Sequence, residues 1–521
     1  MRRVAVLCAL LAPLALPSRV TAQMATAAKT PANAAVERGA ATITEADVAR
    51  RIHIIADDSM LGRDTPSRGL ELTARYVASV FQQNGLKPAG DSGGYLQWYP
   101  IEQSRFNPAG SHVGFMVGST HTHASFTSDA RWRYGDVPAG EISGPVLLVG
   151  GRLDSTAVDP SRAAGRVVVL VVDYSGPVAA GTNAALQALI QSDARAIVLA
   201  SNRDSAQFVQ ALASDNQPRI RLAMRDNMSG GAGVPVVEVQ DRATSAALAK
   251  AGVNLADVRR SRAAVVRSLD SLTIMIDGHE TQDQSLRAPN TVGILEGTDP
   301  VLKHEYVVFS AHMDHVGVNT PQKGSTDSIW NGADDDGSGT TGIMELAEAF
   351  AQPGARPRRS LIFLTVSGEE KGLWGSRWFS EHPVVPMKQI VADLNMDMIG
   401  RNWKDTIVVI GKEHSDLGTT LNRVNAAHPE LGMTAIDDIW PEERFYFRSD
   451  HYNFARKGVP ILFFFNGTHE DYHGPGDEPD KIEAEKESRI IKLVYYLGQD
   501  VANADARPKW KPESYKEIVE Q

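Results

Sequence analysis

The chain of 521 residues contains a single cysteine, Cys8. It lies in the N-terminal segment MRRVAVLCALLAPLALPSRVTA, where two arginines precede an apolar run and small residues follow it. That order is typical of a secretory signal peptide, so we expect residues 1–22 to be removed on export. The mature protein would then have no thiol, which excludes disulfide bonds, a cysteine nucleophile and a cysteine-ligated metal.

Long apolar runs and an excess of positive charge are also missing. Beyond residue 22, no stretch reaches the roughly 18 apolar residues that a membrane-spanning helix needs. The formal charge of −10 becomes −13 when Arg2, Arg3 and Arg19 leave with the signal peptide. Nucleic acids and anionic membranes are therefore unsuitable partners. An exported chain without a membrane anchor is expected in the periplasm or in the medium.

Composition along the chain predicts two domains, because about 500 residues exceed what one hydrophobic core serves. Residues 23–43 are rich in alanine and threonine without periodicity, and we expect a disordered leader there. Residues 143–275 combine short β-rich runs with small alanine-rich helices and contain no acid–histidine cluster. They predict a smaller α/β unit inserted into a discontinuous domain of residues 44–142 and 276–505. Residues 506–521 are expected to form a solvated tail.

Apolar strands alternate with helices in the C-terminal part of the chain. Uninterrupted apolar strands of this kind are typical of a mostly parallel sheet that is covered on both faces. We therefore predict a three-layer α/β/α fold with a mostly parallel mixed sheet. The strands that carry this prediction include EYVVFSA, SLIFLTVSG, QIVADLNMD and GVPILFFFN.

Acidic and imidazole side chains follow these strands, where ligands bind in such sheets. Glu369 and Glu370 are adjacent, and like charges this close are costly unless a cation lies beside them. Imidazole and carboxylate without sulfur favour zinc, with manganese or cobalt as alternatives, whereas calcium prefers oxygen alone. The ligands are too many for one tetrahedral zinc, so the residues predict two metal ions that share a carboxylate. The five segments concerned are VVFSAHMDHVG, GADDDGSG, LIFLTVSGEE, VADLNMD and GVPILFFFNGTHEDYHGPGD.

The chain resembles the secreted di-zinc aminopeptidases of the co-catalytic metallopeptidase family. The resemblance covers residues 44–125 and 285–505, and residues 143–275 resemble a protease-associated domain more weakly. The family also has carboxypeptidase-like and glutaminyl cyclase branches. Five motifs match in order: SAHMDHVG, NGADDDGSG, SGEEKGLWGS, LNMDMIG and SDHYNF…EDYHGPGDEPDKI.

The resemblance implies a zinc ligand set for this sequence. Asp335 would bridge two zinc ions, His312 and Asp397 would complete one site, and Glu370 and His473 would complete the other. The family also has a non-proline cis peptide bond after the bridging aspartate, here between Asp335 and Asp336.

Catalytic roles follow from the same resemblance. Glu369 would take a proton from a water held between the two metals. Tyr446 would donate a hydrogen bond to the oxyanion, although a plain core position is an equal alternative. Asp314 would hydrogen-bond the second ring nitrogen of His312, and the spacing supports this, since residues i and i+2 of a strand face the same way.

Other polar residues in these segments are expected to support loops. This interpretation applies to His315, His469, Asp334 and Asp336. The run Ser449–Asp450–His451 is not expected to form a nucleophilic triad, because three contiguous residues on one segment cannot converge.

The predicted function is that of a zinc aminopeptidase acting on peptides or small proteins with a free N-terminus. A carboxypeptidase- or dipeptidase-type hydrolase on the same metal centre is one alternative, and a one-zinc glutaminyl cyclase is another. A receptor-like protein that has lost its metals is disfavoured, because all five ligand positions and the base are present. The sequence does not predict an oligomeric state.

Overall fold

The computed structural model describes residues 31–154, 157–214, 218–224, 234–322 and 324–520. The predicted signal peptide and the start of the predicted leader lie outside these ranges. None of the helices in the described ranges combines the length and the apolar character that crossing a membrane requires.

The described ranges contain strands that form two sheets. They are β1 (Lys87–Pro88), β2 (Leu96–Phe106), β3 (His112–Val117), β4 (Thr120–Ser125), β5 (Ala130–Tyr134), β6 (Ile142–Gly151), β7 (Val167–Val172), β8 (Ala196–Ser201), β9 (Arg219–Leu222), β10 (Val236–Gln240), β11 (Ala264–Asp277), β12 (Glu280–Leu295), β13 (Tyr306–His312), β14 (Ser360–Val366), β15 (Ile390–Met396), β16 (Thr406–Ile410), β17 (Thr434–Ile436) and β18 (Ile461–Phe465).

Helices connect and cover these strands. They are α1 (Pro31–Thr42), α2 (Glu45–Ile55), α3 (Arg68–Gln83), α4 (Ala180–Ile190), α5 (Ser205–Ser214), α6 (Asp241–Lys250), α7 (Leu255–Arg260), α8 (Gly339–Ala351), α9 (Trp374–Glu381), α10 (Leu417–Ala427), α11 (His451–Ala455), α12 (Ala484–Asn503) and α13 (Pro512–Ile518).

The main sheet is mixed and has the strand order β17-β16-β18-β15-β13-β14-β12-β2-β9, with β1 beside β12. Its central strands β14, β13, β15 and β18 run parallel to one another. The pairs formed by β12, β2 and β9 are antiparallel, as is the pair of β16 with β18. The predicted α/β fold is confirmed, and the parallel part is confined to the middle of the sheet and to β16–β17.

Alternate side chains of the central strands enter two separate cores, as the two-residue period of a strand requires. Phe309 packs with α2, α8 and α12 on one face. Its neighbour Val308 packs with α9 and α11 on the other. Each fully buried side chain of this size stabilises the fold by about 1.5–3 kcal/mol. The sheet is therefore the middle layer of three.

The second sheet has the order β4-β3-β11-β6-β7-β8-β10-β5. It extends from His112 to Asp277, beyond the predicted 143–275, because the antiparallel strands β3, β4 and β5, which precede residue 143, belong to it. Strand β9, which lies within the predicted insert, leaves this sheet and pairs with β2 of the main sheet. The segment predicted as an insert therefore contributes one strand to the main sheet.

Helices form in both segments that were predicted to be irregular, the leader and the C-terminal tail. Residues 31–42 form α1, which packs on α8 and α12, where the Tyr495 hydroxyl donates to the Val36 carbonyl over 3.1 Å. Alanine is the strongest helix former, which explains a helix in a segment without hydrophobic periodicity. At the other end, Ile518 of α13 is buried, and Trp510 donates to the Gly458 carbonyl over 2.9 Å. Backbone hydrogen bonds also join this segment to the loop after β16, from Asp416 to the Lys509 carbonyl (3.0 Å) and from Lys511 to the His414 carbonyl (2.8 Å).

Candidate metal centre

The predicted metal ligands lie at one edge of the main sheet. His312 is the last residue of β13, and Glu370 follows β14 by four positions. Asp397 comes directly after β15, and His473 lies in the segment after β18. Parallel strands end at the same edge, so the fold brings together side chains from distant parts of the chain. Asp335 reaches this edge from the turn that precedes α8.

The first ligand group consists of His312, Asp335 and Asp397. The Nε2 atom of His312 lies 3.3 Å from Asp335 Oδ1 and 3.5 Å from Asp397 Oδ1. Ligand atoms at about 2.0–2.2 Å from a tetrahedral zinc are separated by about 3.3–3.6 Å. These separations therefore match those expected around a zinc ion. Ser449 orients the group by donating to Asp397 Oδ2 over 3.0 Å.

The second ligand group uses the other oxygen of Asp335. The Nε2 atom of His473 lies 3.1 Å from Asp335 Oδ2 and 3.0 Å from Glu370 Oε2. His315 also reaches this group, with Nδ1 at 3.0 Å from Glu370 Oε1 and 3.7 Å from Asp335 Oδ2. His315, Asp335 and Glu370 form a second potential metal-binding set. His315 is therefore a further residue that could hold a metal ion in this group.

Polar atoms in both groups are buried without a hydrogen-bond partner in the described part of the chain. Buried polar atoms are normally paired, so orphans gathered at one point indicate a cation. Imidazole and carboxylate groups without sulfur are a zinc-type donor set. The residues therefore fit the predicted metal. The atoms are Oδ2 of Asp335, Oε1 of Glu370, Oδ1 of Asp397 and both ring nitrogens of His315.

The pKa shifts of His312 and Asp335 also fit a metal site. Burial alone would lower the pKa of His312, but the carboxylates of Asp397, Asp314 and Asp335 outweigh it and raise the pKa well above its usual value. Burial would raise the pKa of Asp335, but His312 and His473 hold it well below its usual range. Carboxylates and imidazoles therefore attract one another strongly, and a metal ion takes the place of their protons when it binds.

Three consecutive aspartates in the turn before α8 have separate tasks. Asp335 is shared by the two ligand groups, and its peptide bond to Asp336 is cis, as the family resemblance implied. Asp336 points the other way and accepts from the backbone N–H groups of His312 (3.1 Å), Gly339 (2.7 Å) and Met398 (3.3 Å). It therefore ties together the ends of β13 and β15 and the start of α8.

The outer side of the same turn is held by buried polar groups. The carboxylate of Asp477 accepts from the backbone N–H of Asp334 (3.1 Å) and of Asp335 (3.0 Å). The Nε2 atom of His469 lies 3.3 Å from Asp334 Oδ2, outside the two ligand groups. These contacts fix the backbone from which Asp335 projects.

Arg63 is a functional residue that the sequence reasoning missed. Its side chain is fully buried, and its guanidinium donates to the carbonyls of Met313 (2.8 Å), Gly332 (2.8 Å) and Ile55 (3.1 Å). One side chain therefore joins the loop after β13 to the turn that carries Asp335. No motif indicates this role, because the partners are backbone carbonyls up to 269 positions away.

Gly332 allows His315 to approach that turn. Its φ of 58° lies in the left-handed region, and an added Cβ would lie 2.3 Å from the Asp335 carbonyl oxygen and 2.4 Å from the His315 ring. A side chain at this position would therefore push the imidazole away from Glu370.

Asp314 positions the predicted base more than it positions His312. The backbone N–H of Glu369 donates to Asp314 Oδ1 over 3.3 Å, and the Thr65 hydroxyl donates to Asp314 Oδ2 over 2.9 Å. The Nδ1 atom of His312 lies 3.2 Å from the Asp314 carbonyl oxygen and 3.7 Å from its carboxylate. His312 therefore hydrogen-bonds the backbone carbonyl of Asp314, whereas the sequence predicted a hydrogen bond to the Asp314 side chain.

Glu369 lies in the cavity formed by the first ligand group. Burial, followed by the charges of Asp450, Asp397 and Glu370, raises the pKa of Glu369 well above its usual value. A carboxylate whose pKa is raised in this way holds a proton more tightly, which suits a general base.

The structure does not bring Tyr446 to this cavity. Tyr446 is buried in the core behind it, with its ring centroid 4.6 Å from that of His414. Successive residues of the short helical turn Phe445–Phe447 point in different directions, so Phe445 faces the cavity instead. The tyrosine that lines the cavity is Tyr472, whose ring stacks on that of His473 at 4.0 Å. Tyr472 directly precedes the predicted ligand His473 in the sequence, and this adjacency is the signal that could have identified it.

The run Ser449–Asp450–His451 does not form a triad. Ser449 donates to Asp397, and the Nε2 atom of His451 lies 2.8 Å from the Tyr446 carbonyl oxygen. Burial lowers the pKa of His451 to about 3, so this imidazole stays neutral in the core.

Comparison with known proteins identifies relatives of the main domain. Residues 290–498 match the family described as Peptidase family M28. A probable leucine aminopeptidase of Arthroderma benhamiae is 28% identical over 265 residues, which cover 49% of this chain and 68% of the relative. A vacuolar membrane protease of Aspergillus fumigatus is 32% identical over 123 residues, which cover 24% of this chain and 11% of the relative.

A solved structure shares the fold. The aminopeptidase from Aneurinibacillus sp. strain AM-1 aligns with a TM-score of 0.51 and 16% identity, covering 92% of this chain and 98% of that one. At this identity the likeness concerns the fold alone.

Proposed function

We propose that the chain is a zinc metallopeptidase of peptidase family M28, the family that residues 290–498 match, and that it is an exported aminopeptidase that removes N-terminal residues from peptides and small proteins. The observation that carries this proposal is the pair of ligand groups that share Asp335, with Glu369 in the same cavity. The related leucine aminopeptidase supports the N-terminal direction of cleavage. Export rests on the signal-peptide pattern of residues 1–22.

Two zinc ions are proposed to occupy the two groups. His312, Asp335 and Asp397 would hold the first, and Asp335, Glu370 and His473 the second, with His315 beside them. When bound, the zinc ions polarise the scissile carbonyl and lower the pKa of water.

The side chains of the cavity perform the proton transfers. Glu369 takes a proton from the attacking water and passes it to the nitrogen of the leaving amine, so it acts first as a base and then as an acid. Glu370, its neighbour, serves as a ligand, which separates the roles of the two adjacent carboxylates. Asp314 holds the backbone N–H of Glu369 in place.

Tyr472 is proposed to take the role that the sequence suggested for Tyr446. Burial, together with the charges of Asp335, Glu370 and Asp397, raises the pKa of Tyr472, which keeps its hydroxyl protonated. A protonated hydroxyl in the cavity can donate a hydrogen bond to the developing oxyanion.

The proposal is tested with zinc-reconstituted protein on leucine 4-nitroanilide and on its N-acetylated form. We expect two zinc ions per chain by elemental analysis and cleavage of the unblocked compound alone. Chelation should abolish cleavage, and added zinc should restore it.

Three outcomes would contradict parts of this proposal. Equal cleavage of the N-acetylated compound would exclude the requirement for a free amine, and release of the C-terminal residue from an N-acetylated peptide would favour a carboxypeptidase-type activity. Full activity with one zinc per chain would exclude the two-metal arrangement. Cyclisation of an N-terminal glutamine without peptide hydrolysis would identify a glutaminyl cyclase.

A further inference from the structure

Arg448 lines the same cavity as the ligand groups, although the proposed reaction gives it no task. It follows the helical turn Phe445–Phe447 and borders the cavity together with His312, Asp335 and Glu369. Among the described residues that line this cavity, it is the one lysine or arginine.

The fold makes little use of this guanidinium. The Arg448 side chain is 49% exposed, and its Nη1 atom donates to the Glu443 carbonyl over 3.4 Å and lies 3.5 Å from Glu443 Oε2, on a side chain that is 61% exposed. Exposed ion pairs of this kind contribute about 0–1 kcal/mol. The guanidinium also lies 4.7 Å from the centroid of the Phe445 ring, which limits its orientations. Its outer N–H groups are therefore accessible to a molecule in the cavity.

The permanent charge of Arg448 makes it distinctive in this cavity. The carboxylates that line the cavity belong to Asp335, Glu369 and Asp397, and Arg448 adds a guanidinium that stays positively charged. A guanidinium repels the ammonium group of an aminopeptidase substrate, so Arg448 must face another part of that substrate.

We propose that Arg448 binds a carboxylate of the substrate and so determines specificity, an inference that rests on the proposed function. A guanidinium is planar and holds a carboxylate through two parallel hydrogen bonds, which matches this group better than any other part of a peptide. The carboxylate has two sources: the free C-terminus of a dipeptide, or the acidic side chain of an N-terminal aspartate or glutamate.

Two matched substrate pairs separate these sources. Leu-Leu is compared with Leu-Leu-amide, and glutamate 4-nitroanilide with glutamine 4-nitroanilide. The zinc-loaded protein should prefer the carboxylate-bearing member of one pair by about 10- to 100-fold in kcat/KM, the effect of hydrogen bonds to a charged group. The preference should lie mainly in KM, because the carboxylate is remote from the bond that breaks.

Arg448→Met should abolish that preference, and Arg448→Lys should retain part of it, because lysine keeps the charge and loses the paired hydrogen bonds. Arg444→Met is the matched control. Arg444 is on the same loop, its guanidinium lies 4.9 Å from the Phe447 ring, and it does not line the cavity. This control should keep the wild-type preference.

The outcomes separate cleanly. If the wild type prefers Leu-Leu to Leu-Leu-amide and Arg448→Met removes this preference, Arg448 binds the C-terminal carboxylate. If the wild type prefers glutamate 4-nitroanilide and Arg448→Met removes this preference, Arg448 binds the acidic side chain of the substrate. A wild type without preference in either pair, or a preference that survives in Arg448→Met, overturns the inference while leucine 4-nitroanilide is still cleaved. Loss of that cleavage in the wild type would instead refute the proposed function, and this inference with it.

Discussion

At the scale of single residues, adjacent acids in this site act on different partners because the backbone sends their side chains in different directions. Asp335 faces both ligand groups, whereas Asp336 accepts from three backbone N–H groups. Glu370 contacts two histidines, and Glu369 faces the cavity. Substitutions of neighbouring acids should therefore have different consequences.

Glu369→Gln is expected to keep both zinc ions and the fold while kcat falls by about 10²- to 10⁴-fold, the usual contribution of a general base. The amide retains the size of the side chain and removes its basicity. Glu370→Gln is the contrasting variant, and it should lose zinc together with activity. The measurements are steady-state kinetics and elemental analysis. Near-normal turnover of Glu369→Gln would exclude its role as the base.

Gly332→Ala is expected to lower zinc binding and stability together. The new methyl group would lie 2.4 Å from the His315 ring, so the imidazole and the turn must separate. Gly118→Ala is a matched control with the same φ of 58° and no atom within 4 Å of the new carbon. The control should cost about 1–2 kcal/mol from its backbone conformation alone. Equal losses in thermal stability and zinc affinity for both variants would refute the steric argument.

A cluster of metal-type side chains could be predicted from the sequence because acids and histidines follow apolar strands, and the family resemblance supplied the five ligand positions. His315 was assigned to loop support, since nothing local distinguishes it from an ordinary loop histidine. Tyr446 was assigned by motif spacing, and the short turn that carries it rotates the ring into the core. Arg63 had no signal, because its partners are backbone carbonyls of segments far along the chain.

At the scale of elements, the 3₁₀ segment Asp58–Arg63 is a structural part of the metal centre although it carries no ligand. It places the Arg63 guanidinium between the loop after β13 and the turn before α8. Buried carbonyls need partners, so removing this one side chain leaves several of them unsatisfied.

Arg63→Met is expected to raise the zinc dissociation constant at least tenfold and to lower the melting temperature. Arg359→Met is the control, because Arg359 is equally buried and donates to the Val501 carbonyl (3.2 Å) and to Glu305 (2.7 Å), far from the ligand groups. The control should lower the melting temperature without changing zinc affinity. Competition with a chromogenic chelator measures the affinity, and equal affinities in the two variants would contradict the role of Arg63.

The main elements were predictable where apolar runs are long, as in the central strands. Strand β4 reads THTHAS, which alternates polar and small residues and has no apolar signal. Strand β9 has four residues and finds its partner more than 110 positions earlier in the chain. Such elements depend on tertiary pairing, which overrides local propensity.

At the scale of the whole molecule, the second sheet is joined to the main domain by two long strands and by β9. The backbone N–H of Asn107 donates to the His279 carbonyl over 2.8 Å, just beyond the last paired residues Phe106 and Glu280. We therefore propose that the boundary of the second unit lies at this pair, outside the predicted residues 143–275.

Replacing residues 107–279 with Asn-Gly should close β2 and β12 into a hairpin, because this dipeptide favours two-residue turns. We expect a soluble protein with two zinc ions, since the second sheet has its own hydrophobic cores. Deleting residues 143–275 should instead give insoluble protein, because β3 and β5 lose their partners β11 and β10. The measurements are soluble yield and zinc content. A soluble variant from the 143–275 deletion together with an insoluble one from the 107–279 replacement would refute this boundary.

The distance between β2 and β12 along the chain has a consequence for biosynthesis. The partner of β2 emerges from the ribosome more than 170 residues after β2 itself, a delay of about 10–35 s at the usual rates of translation. The second sheet is complete within that interval and can collapse first. All the proposed metal ligands are translated afterwards, ending with His473, so the proposed metal centre would assemble last, beside a second sheet that already exists.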